Sequence, residues 1–280
     1  DLRFKENIPR MLYICKISPE VSKKYSRVMH SHENLIEIVL IYSGSSTYMI
    51  DGKMIDVKKG DLLIYNQGIV HDEMVFPKDQ IGFFCIGIEN LLLPGRGKNE
   101  LTTKKLGYRF ETGEEFDDLY SLYEMIYQNL AKEKTNAENF CNDLAMALLE
   151  KAITVVGSGN NGKTDAEDLV DNAELLSRKV KEYIDEHYKE PVTVNDIGKA
   201  LYLSPYYVAH IFKENSGYSP IQYLIRRRIG EAQTLLITTD MPIAQIALEV
   251  GFDNQSYFSI QFTKNVGMPP MKFRKNYVIP

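Results

Sequence analysis

The spacing of hydrophobic and polar positions changes character near residue 113. Within residues 10–110, short hydrophobic runs alternate with turn residues, and this pattern predicts short β-strands. The dipeptide Asp51-Gly52 favours a two-residue hairpin, because both central positions of such a turn need a positive φ. Many short, closely spaced strands are typical of a small barrel or sandwich. The predicted strands are Leu35–Tyr42, Ser46–Ile50, Met54–Val57, Asp61–Tyr65 and Ile81–Ile88, with Ser43-Gly44-Ser45 as the turn between the first two.

From Gly113 onward the hydrophobic residues recur at helical spacing. One stripe runs from Phe116 to Leu130, and a second helix is expected around Asn136–Ile153. Two amphipathic helices joined by a few residues predict a helical hairpin. It has two interpretations that are compatible with each other: a cover over an open end of the barrel, or a dimer interface.

A segment rich in Gly, Asn and Ser follows the predicted hairpin, and its composition favours a flexible linker. The pattern therefore divides the chain into four parts. They are a strand-rich domain over 1–112, a helical hairpin over 113–154, a linker over 155–172 and a helical domain over 173–280. The last domain is expected to begin with a helix around Leu176–Tyr188.

The helical domain contains the same sequence unit twice, over Val194–Pro220 and Ile243–Pro270. Each copy reads as a helix, a short turn and a second helix, which predicts two helix-turn-helix units. Between them, Pro220–Thr238 predicts one connecting helix of 19 residues. At about 1.5 Å per residue this helix spans roughly 28 Å. Recognition helices that enter adjacent major-groove segments lie about 34 Å apart, so the spacing suits DNA binding.

The outward faces of the second helix in each unit supply the candidate DNA-contacting residues. Ser204 suits an N-cap and Pro205 the first helical position, while Asp253 or Asn254 caps the second copy. Gln and Ser side chains can bond base edges or phosphates. The candidates are Ser204, Tyr206, Tyr207, Ala209, His210 and Lys213 in the first unit, and Asn254, Gln255, Ser256, Ser259, Ile260 and Lys264 in the second.

Three consecutive arginines, Arg226, Arg227 and Arg228, open the connecting helix. One or two of them could contact phosphate, and Arg226 and Arg227 are the candidates. The alternative is that they form ion pairs with Glu231 and other acidic residues.

The charge distribution favours the same end of the chain. The net charge of −5 is the sum of −8 over residues 1–177, with 20 basic and 28 acidic residues, and +3 over residues 178–280, with 13 and 10. Only the C-terminal part meets a polyanion without an electrostatic penalty. Three distant cysteines indicate a reducing compartment, and no apolar run is long enough to span a bilayer. We expect a cytoplasmic protein.

The second unit resembles the AraC/XylS family of bacterial transcription regulators. The resemblance rests on Gly251-Phe252, Ser256-Tyr257-Phe258, Phe262, Gly267, Pro270 and Phe273-Arg274, and it covers about residues 175–277. It implies seven helices, promoter binding and contact with RNA polymerase. Family members commonly have a basic residue where Ile260 stands and Lys-Lys where Thr263-Lys264 stands, and a longer basic or polar side chain is frequent in place of His210.

The strand-rich region resembles a cupin sensor domain over roughly residues 10–110. Its first motif is His30-x-His32-x4-Glu37-x6-Gly44, and its second runs from Gly60 to His71, with Asn66 where Pro is usual. On strands, alternate residues share a face, so His30 and His32 can both point into a barrel. With Glu37 and His71 they would suit Fe, Mn, Ni or Zn. Three interpretations stay open: lining of a ligand pocket, a bound divalent metal, or structural roles. Met49, Tyr65, Met74 and Phe84 are read as core residues, with cavity lining as the alternative.

The expected fold is α+β in two domains: a cupin-like β-barrel (a double-stranded β-helix) with a helical hairpin, then an all-α tandem helix-turn-helix domain. The expected function is a bacterial transcription regulator, not an enzyme. As a homodimer it would sense a small molecule, with a carbohydrate as default, and bind double-stranded promoter DNA and RNA polymerase. One alternative is a metal-dependent cupin enzyme fused to a DNA-binding module. Another is a regulator controlled by a protein partner.

Overall fold

The computed structural model describes residues 8–22, 27–73, 80–131, 137–158 and 172–275. These residues form two compact units, one built mainly from the chain up to residue 158 and one built mainly from 172 onward. The first unit is rich in β-sheet and the second is helical, as the change of periodicity predicts.

The sheet of the N-terminal unit follows the order β1-β7-β3-β5-β8, and β4 and β6 also pair with β3. These strands pair in antiparallel fashion. Asp51 and Gly52 take φ values of 50° and 81°, which confirms the hairpin between β3 and β4. The strands are β1 (Arg10–Ile17), β2 (Arg27–His30), β3 (Leu35–Ile50), β4 (Lys53–Lys58), β5 (Asp61–Tyr65), β6 (His71–Glu73), β7 (Gln80–Glu89) and β8 (Arg109–Glu111).

Strand β3 corrects one prediction. The sequence predicts a turn at Ser43-Gly44-Ser45, but β3 continues through it as one strand of 16 residues. Gly44 has φ +75°, and a Cβ there would overlap the carbonyl group of Gln80 on β7. The pairing with β7 shifts register between Ile41 and Ser43. The glycine thus allows a bulge and a close strand approach, and it does not reverse the chain.

The two faces of this sheet differ in chemistry. Residues paired across neighbouring strands share a face, and one row joins Tyr13, Gly87, Glu37 and Tyr65 across β1, β7, β3 and β5. We call the face that carries this row the polar face. The opposite, apolar face carries the alternate residues, among them Ile38, Ile64, Phe84 and Ile86, all buried in one hydrophobic cluster.

Two helices cover the apolar face. They are α2 (Phe116–Ala131) and α3 (Ala137–Gly157), and their buried residues belong to the same cluster as the strand residues of that face. The Tyr123 hydroxyl donates to the Ile38 carbonyl at 2.8 Å and ties α2 to β3. Of the two roles considered from the sequence, the cover is therefore over a face of the sheet and not over an open end of the barrel. Phe84 is a core residue of this face, with Tyr123 stacked at 5.3 Å.

The C-terminal unit contains seven helices in the described residues, the number that the family resemblance implies. They are α4 (Asn172–His187), α5 (Val194–Leu201), α6 (Pro205–Ser216), α7 (Pro220–Thr238), α8 (Ile243–Glu249), α9 (Gln255–Val266) and α10 (Pro270–Arg274). The N-terminal unit also has a short helix, α1 (Pro19–Ser22). The bounds of α5 and α7 are those predicted. Helix α3 extends three residues beyond the predicted hairpin end at 154, and most of the predicted linker lies outside the described residues.

Local capping fixes where α6 and α9 begin and end. The Ser204 side chain accepts from the Tyr207 amide, and the Asn254 side chain accepts from the Tyr257 amide. Each helix ends at a glycine with positive φ, Gly217 at 75° and Gly267 at 89°. Glycine takes this left-handed conformation without the penalty that a Cβ brings. The cap on α9 is thus Asn254 and not Asp253.

Candidate nucleic-acid interface and buried histidine–glutamate cluster

Helix α6 separates a buried stripe from an exposed face. Val208, Ile211 and Phe212 are buried among the other helices of the unit. The outward face contains the residues proposed from the sequence: Ser204, Tyr206, Tyr207, His210 and Lys213 are exposed and Ala209 is half-buried. Tyr206 is 80% exposed and stacks on the His210 ring at 6.0 Å. His210 Nδ1 lies 3.2 Å from a carboxylate oxygen of Glu214 one turn later.

Helix α9 repeats this division. Phe258 and Phe262 are fully buried, whereas the outward face is polar at its start. Ile260, which stands where relatives often have a basic residue, is 63% exposed. An exposed isoleucine beside polar groups offers apolar contact, not a charge. The predicted contact residues Asn254, Gln255, Ser256, Ile260 and Lys264 are exposed, and Ser259 is half-buried.

Arg227 is a correction to the predicted phosphate contacts. Its side chain is 6% exposed, with Nη1 2.9 Å from a Glu231 oxygen and Nε 3.6 Å from an Asp185 oxygen. Burial alone would lower the pKa of Arg227, but the two carboxylates outweigh it and the pKa is raised. The structure therefore gives Arg227 the ion-pair role that the sequence left open, and it cannot reach a phosphate.

The neighbouring arginines have different surroundings. Arg228 donates to the carbonyls of Tyr188 and Glu190, both at 2.6 Å, and so satisfies backbone acceptors just after α4. Arg226 is half-buried, with its guanidinium 5.0 Å from the centre of the Tyr218 ring. Of the three arginines, only Arg226 keeps its place as a candidate phosphate contact. The sequence could not separate them, because the distinction depends on which side of α7 faces α4.

A buried polar cluster lies on the polar face of the N-terminal sheet. His30, His32, Glu37 and His71 each place one ligand atom within 4.8 Å of the others, and all four are buried. Glu37 Oε2 lies 3.1 Å from His71 Nε2 and 3.3 Å from His32 Nε2. Metal bonds of about 2.1 Å at right angles place neighbouring ligand atoms about 3 Å apart. Glu37 therefore lies at distances from His32 and His71 that suit shared ligation of a divalent ion, and the ligand atom of His30 lies within 4.8 Å of theirs.

Backbone carbonyls assign the protonation of two histidine rings. His71 Nδ1 lies 3.0 Å from the Ile69 carbonyl, and His30 Nδ1 lies 2.8 Å from the Val28 carbonyl. A carbonyl oxygen only accepts, so both Nδ1 atoms carry a proton. Nε2 of a neutral His71 then presents a lone pair to the Glu37 carboxylate. An additional proton or a cation between the two atoms removes this repulsion.

The sequence did not identify two further partners of Glu37. Its Oε1 accepts hydrogen bonds of 2.7 Å from the Tyr13 hydroxyl and from the Cys85 thiol. Tyr13 reaches across Gly87, where an added Cβ would lie 2.5 Å from a ring carbon of Tyr13. These contacts orient Glu37 so that Oε2 faces the histidines. Only the strand register brings these side chains together, so no local motif marks them.

Two domain families match the chain. Residues 197–276 match a helix-turn-helix domain and residues 20–76 match a cupin domain. The chain therefore contains an AraC-type helix-turn-helix domain and a cupin domain. The resemblance seen in the sequence is thereby confirmed for both regions. Within the described residues, no helix is long and apolar enough to cross a membrane.

Relatives match over different extents of this chain. An uncharacterised HTH-type transcriptional regulator of Escherichia coli, YdiP, is 22% identical and covers 97% of this chain and 91% of its own length. The arabinose operon regulatory protein of Escherichia coli is 37% identical over 98 residues, which are 35% of this chain and 34% of its own length. Among solved structures, the C-terminal domain of AraT from Geobacillus stearothermophilus is 32% identical, with a TM-score of 0.38, and covers 40% of this chain and 92% of its own.

Proposed function

We propose that this chain is a transcription regulator that binds promoter DNA through two helix-turn-helix units, α5 with α6 and α8 with α9, joined by α7. The main support is that α6 and α9 begin with equivalent side-chain caps and expose equivalent faces. The 19-residue helix α7 joins the two units. Recognition helices about 34 Å apart enter successive major-groove segments on one side of DNA. The proposed contacts are those predicted from the sequence without Arg227.

The experiment that tests DNA binding needs no known operator. The full chain selects sites from a random double-stranded library, and fluorescence anisotropy then compares the selected site with a shuffled one. Specific binding that exceeds non-specific binding by about 10³-fold or more is expected. Equal affinity for the selected and shuffled sites would contradict the proposal.

The cupin region, in this proposal, is the sensor for a small molecule. It is supported by the polar face, where buried histidines, a carboxylate and tyrosines converge on one side of a sheet whose other side is apolar core. Such a mixture of polar groups in an apolar frame is typical of ligand sites. A carbohydrate is the proposed class, because hydroxyl groups can bond both carboxylates and imidazoles. The match to the arabinose regulator does not extend into this region and lends it no support.

Helices α2 and α3 are the proposed dimer surface. Met125 is 42% exposed and Phe140 is 48% exposed, although both lie on helices that pack against the core. A homodimer would present four recognition helices to two half-sites, and promoter-bound dimers would contact RNA polymerase in the cytoplasm. Native mass spectrometry is expected to give twice the chain mass of 32.1 kDa. Phe140→Ser should weaken that dimer, whereas Met54→Ser, at an exposed strand position, should not.

A bound metal is the second candidate function, because the Glu37–histidine geometry favours it. His30, His32, Glu37 and His71 would hold a divalent Fe, Mn, Ni or Zn ion, with the Nδ1 protons of His30 and His71 bonded to carbonyls in the way that orients metal-binding imidazoles. Such an ion would supply Lewis-acid chemistry. The residues themselves supply four buried donors and exclude water.

Trace-metal analysis on protein purified without a metal-affinity step tests this candidate. One metal per chain is expected, lost in His32→Ala and retained in His187→Ala, which changes a histidine of the helical unit. Metal-free wild-type protein with intact fold would contradict a metal site and leave the cluster to ligand binding.

A further inference from the structure

Tyr65 stands on the polar face beside the buried cluster. It ends β5 and pairs in register with Glu37 on β3, so the two side chains share that face. The Tyr65 ring stacks on the His71 ring with 3.7 Å between centroids and 20° between planes. The residue is completely buried. Its ring is therefore fixed against a member of the cluster, and its hydroxyl extends beyond that ring.

The Tyr65 hydroxyl has no hydrogen-bond partner among the described residues. Three other buried tyrosines do have such partners: Tyr13 donates to Glu37, Tyr123 to the Ile38 carbonyl and Tyr223 to Asp185. A buried hydroxyl without a partner costs about 1–3 kcal/mol in proteins. Phenylalanine would fill the same space without that cost, so packing alone does not explain a tyrosine here.

The surroundings determine how this hydroxyl would act. Burial first, then the nearby carboxylates of Glu73 and Glu37, raise the pKa of Tyr65 well above its ordinary value. A tyrosine hydroxyl is a hydrogen-bond donor in its ordinary neutral form, and its buried position beside His71 leaves that donor available to a bound molecule. The same carboxylates repel an anionic group at this position, and they accept hydrogen bonds from hydroxyl groups.

We propose that the Tyr65 hydroxyl donates a hydrogen bond to an oxygen of an uncharged, hydroxyl-bearing small molecule bound on the polar face. This inference rests on the proposed sensor function and makes Tyr65 a specificity-determining residue of that site. The occupant bonds Tyr65 through an acceptor oxygen and the carboxylates through its own hydroxyl protons. Carboxylate-bearing molecules are excluded by charge.

The experiment compares the full chain with Tyr65→Phe and Tyr123→Phe, each of which removes one buried hydroxyl. Thermal unfolding is measured first without additive, and then with neutral aldopentoses and aldohexoses or with a medium-chain fatty acid. The probes are supplied at millimolar concentration. Without additive, Tyr65→Phe should unfold at or slightly above the wild-type temperature. Tyr123→Phe should unfold several degrees lower, because it removes the buried hydrogen bond from the Tyr123 hydroxyl to the Ile38 carbonyl.

With a binding sugar, the wild type and Tyr123→Phe should show the same upward shift, while the shift in Tyr65→Phe falls at least several-fold. A drop in unfolding temperature for Tyr65→Phe as large as for Tyr123→Phe would overturn the proposal, because the hydroxyl would then serve the fold. An undiminished sugar shift in Tyr65→Phe, or a shift with the fatty acid instead, would overturn it too. If the wild type binds no sugar, the carbohydrate assignment is contradicted. The unfolding temperatures without additive then still decide whether the Tyr65 hydroxyl serves the fold.

Discussion

The two units of this chain place their proposed functional groups in opposite ways. In the helical unit the proposed contacts are exposed on α6 and α9, and the buried side of each helix is apolar. In the cupin unit the proposed contacts are buried on one face of a sheet, and the helices cover the other. Side chains on a DNA-binding surface need only to point outward. Each polar side chain in a buried cluster also needs a hydrogen-bond partner. The difference predicts where substitutions damage the fold and where they damage function alone.

The largest effect is expected for Arg227. It is a charged residue of the helical unit, but its side chain is buried and not exposed. Arg227→Ala leaves the buried Glu231 and the half-buried Asp185 without their cation, and the loss of a buried partner of this kind costs about 3–5 kcal/mol. Urea unfolding followed by helical circular dichroism measures it. Lys213→Ala, on the exposed face of α6, is the control and should change stability by less than about 0.5 kcal/mol. Equal stabilities would show that the buried ion pairs do not hold α7 against α4.

In the cupin unit, Gly87→Ala tests how tightly the polar face is packed. The added methyl overlaps the Tyr13 ring and displaces its hydroxyl from Glu37, which should cost about 1–3 kcal/mol. Gly157→Ala, at the open end of α3 with no atom within 4 Å of the new methyl, should be neutral or slightly stabilising. Thermal unfolding of the two variants measures the difference. If Gly87→Ala unfolds at the same temperature as the wild type, the position of the Tyr13 ring does not depend on the glycine.

On the exposed side, His210→Ala and Gln255→Ala should weaken binding to the selected DNA site by about 1–3 kcal/mol each if they touch bases. Neither change should alter stability, because both side chains are exposed. Fluorescence anisotropy with matched and shuffled sites separates base contacts from general affinity. Lys179→Ala, an exposed position on α4, serves as the control. Unchanged affinity and sequence preference would remove these two residues from the DNA surface.

The smallest expected effect concerns the cap of α5. The Thr193 side chain accepts from the Asp196 amide, and Asp196 in turn accepts from the Thr193 hydroxyl at 2.6 Å and amide at 3.0 Å. Thr193→Ala should cost about 1 kcal/mol. The hydrogen bonds from Thr193 lower the pKa of Asp196 below its ordinary value. The stability that the ionised Asp196 carboxylate contributes is therefore complete above about pH 4, and it is lost as the pH falls through the lowered pKa. A Thr193→Ala penalty that persists unchanged at pH 2 would contradict this account.

The sequence predicted the exposed regions better than the buried ones, for a physical reason. Helical periodicity and caps are local, so α5, α6, α7 and their outward faces follow from the chain itself. The four cluster residues also lay within recognisable motifs. Tyr13 and Cys85 did not, because their proximity to Glu37 comes from strand register across β1, β7 and β3. Tyr65 lies inside the second motif, but only the register between β3 and β5 places it beside Glu37. The turn wrongly predicted at Gly44 has the same origin, since only pairing with β7 shows that the strand continues.

The proposal that both helix-turn-helix units engage DNA can be tested most directly by hydroxyl-radical footprinting of the full chain on its selected site. We expect two protected patches on one side of the duplex, about 10 base pairs apart centre to centre. His210→Ala should weaken the patch under α6, and Gln255→Ala should weaken the patch under α9. A single protected patch, unaffected by one of these two changes, would contradict binding through both units.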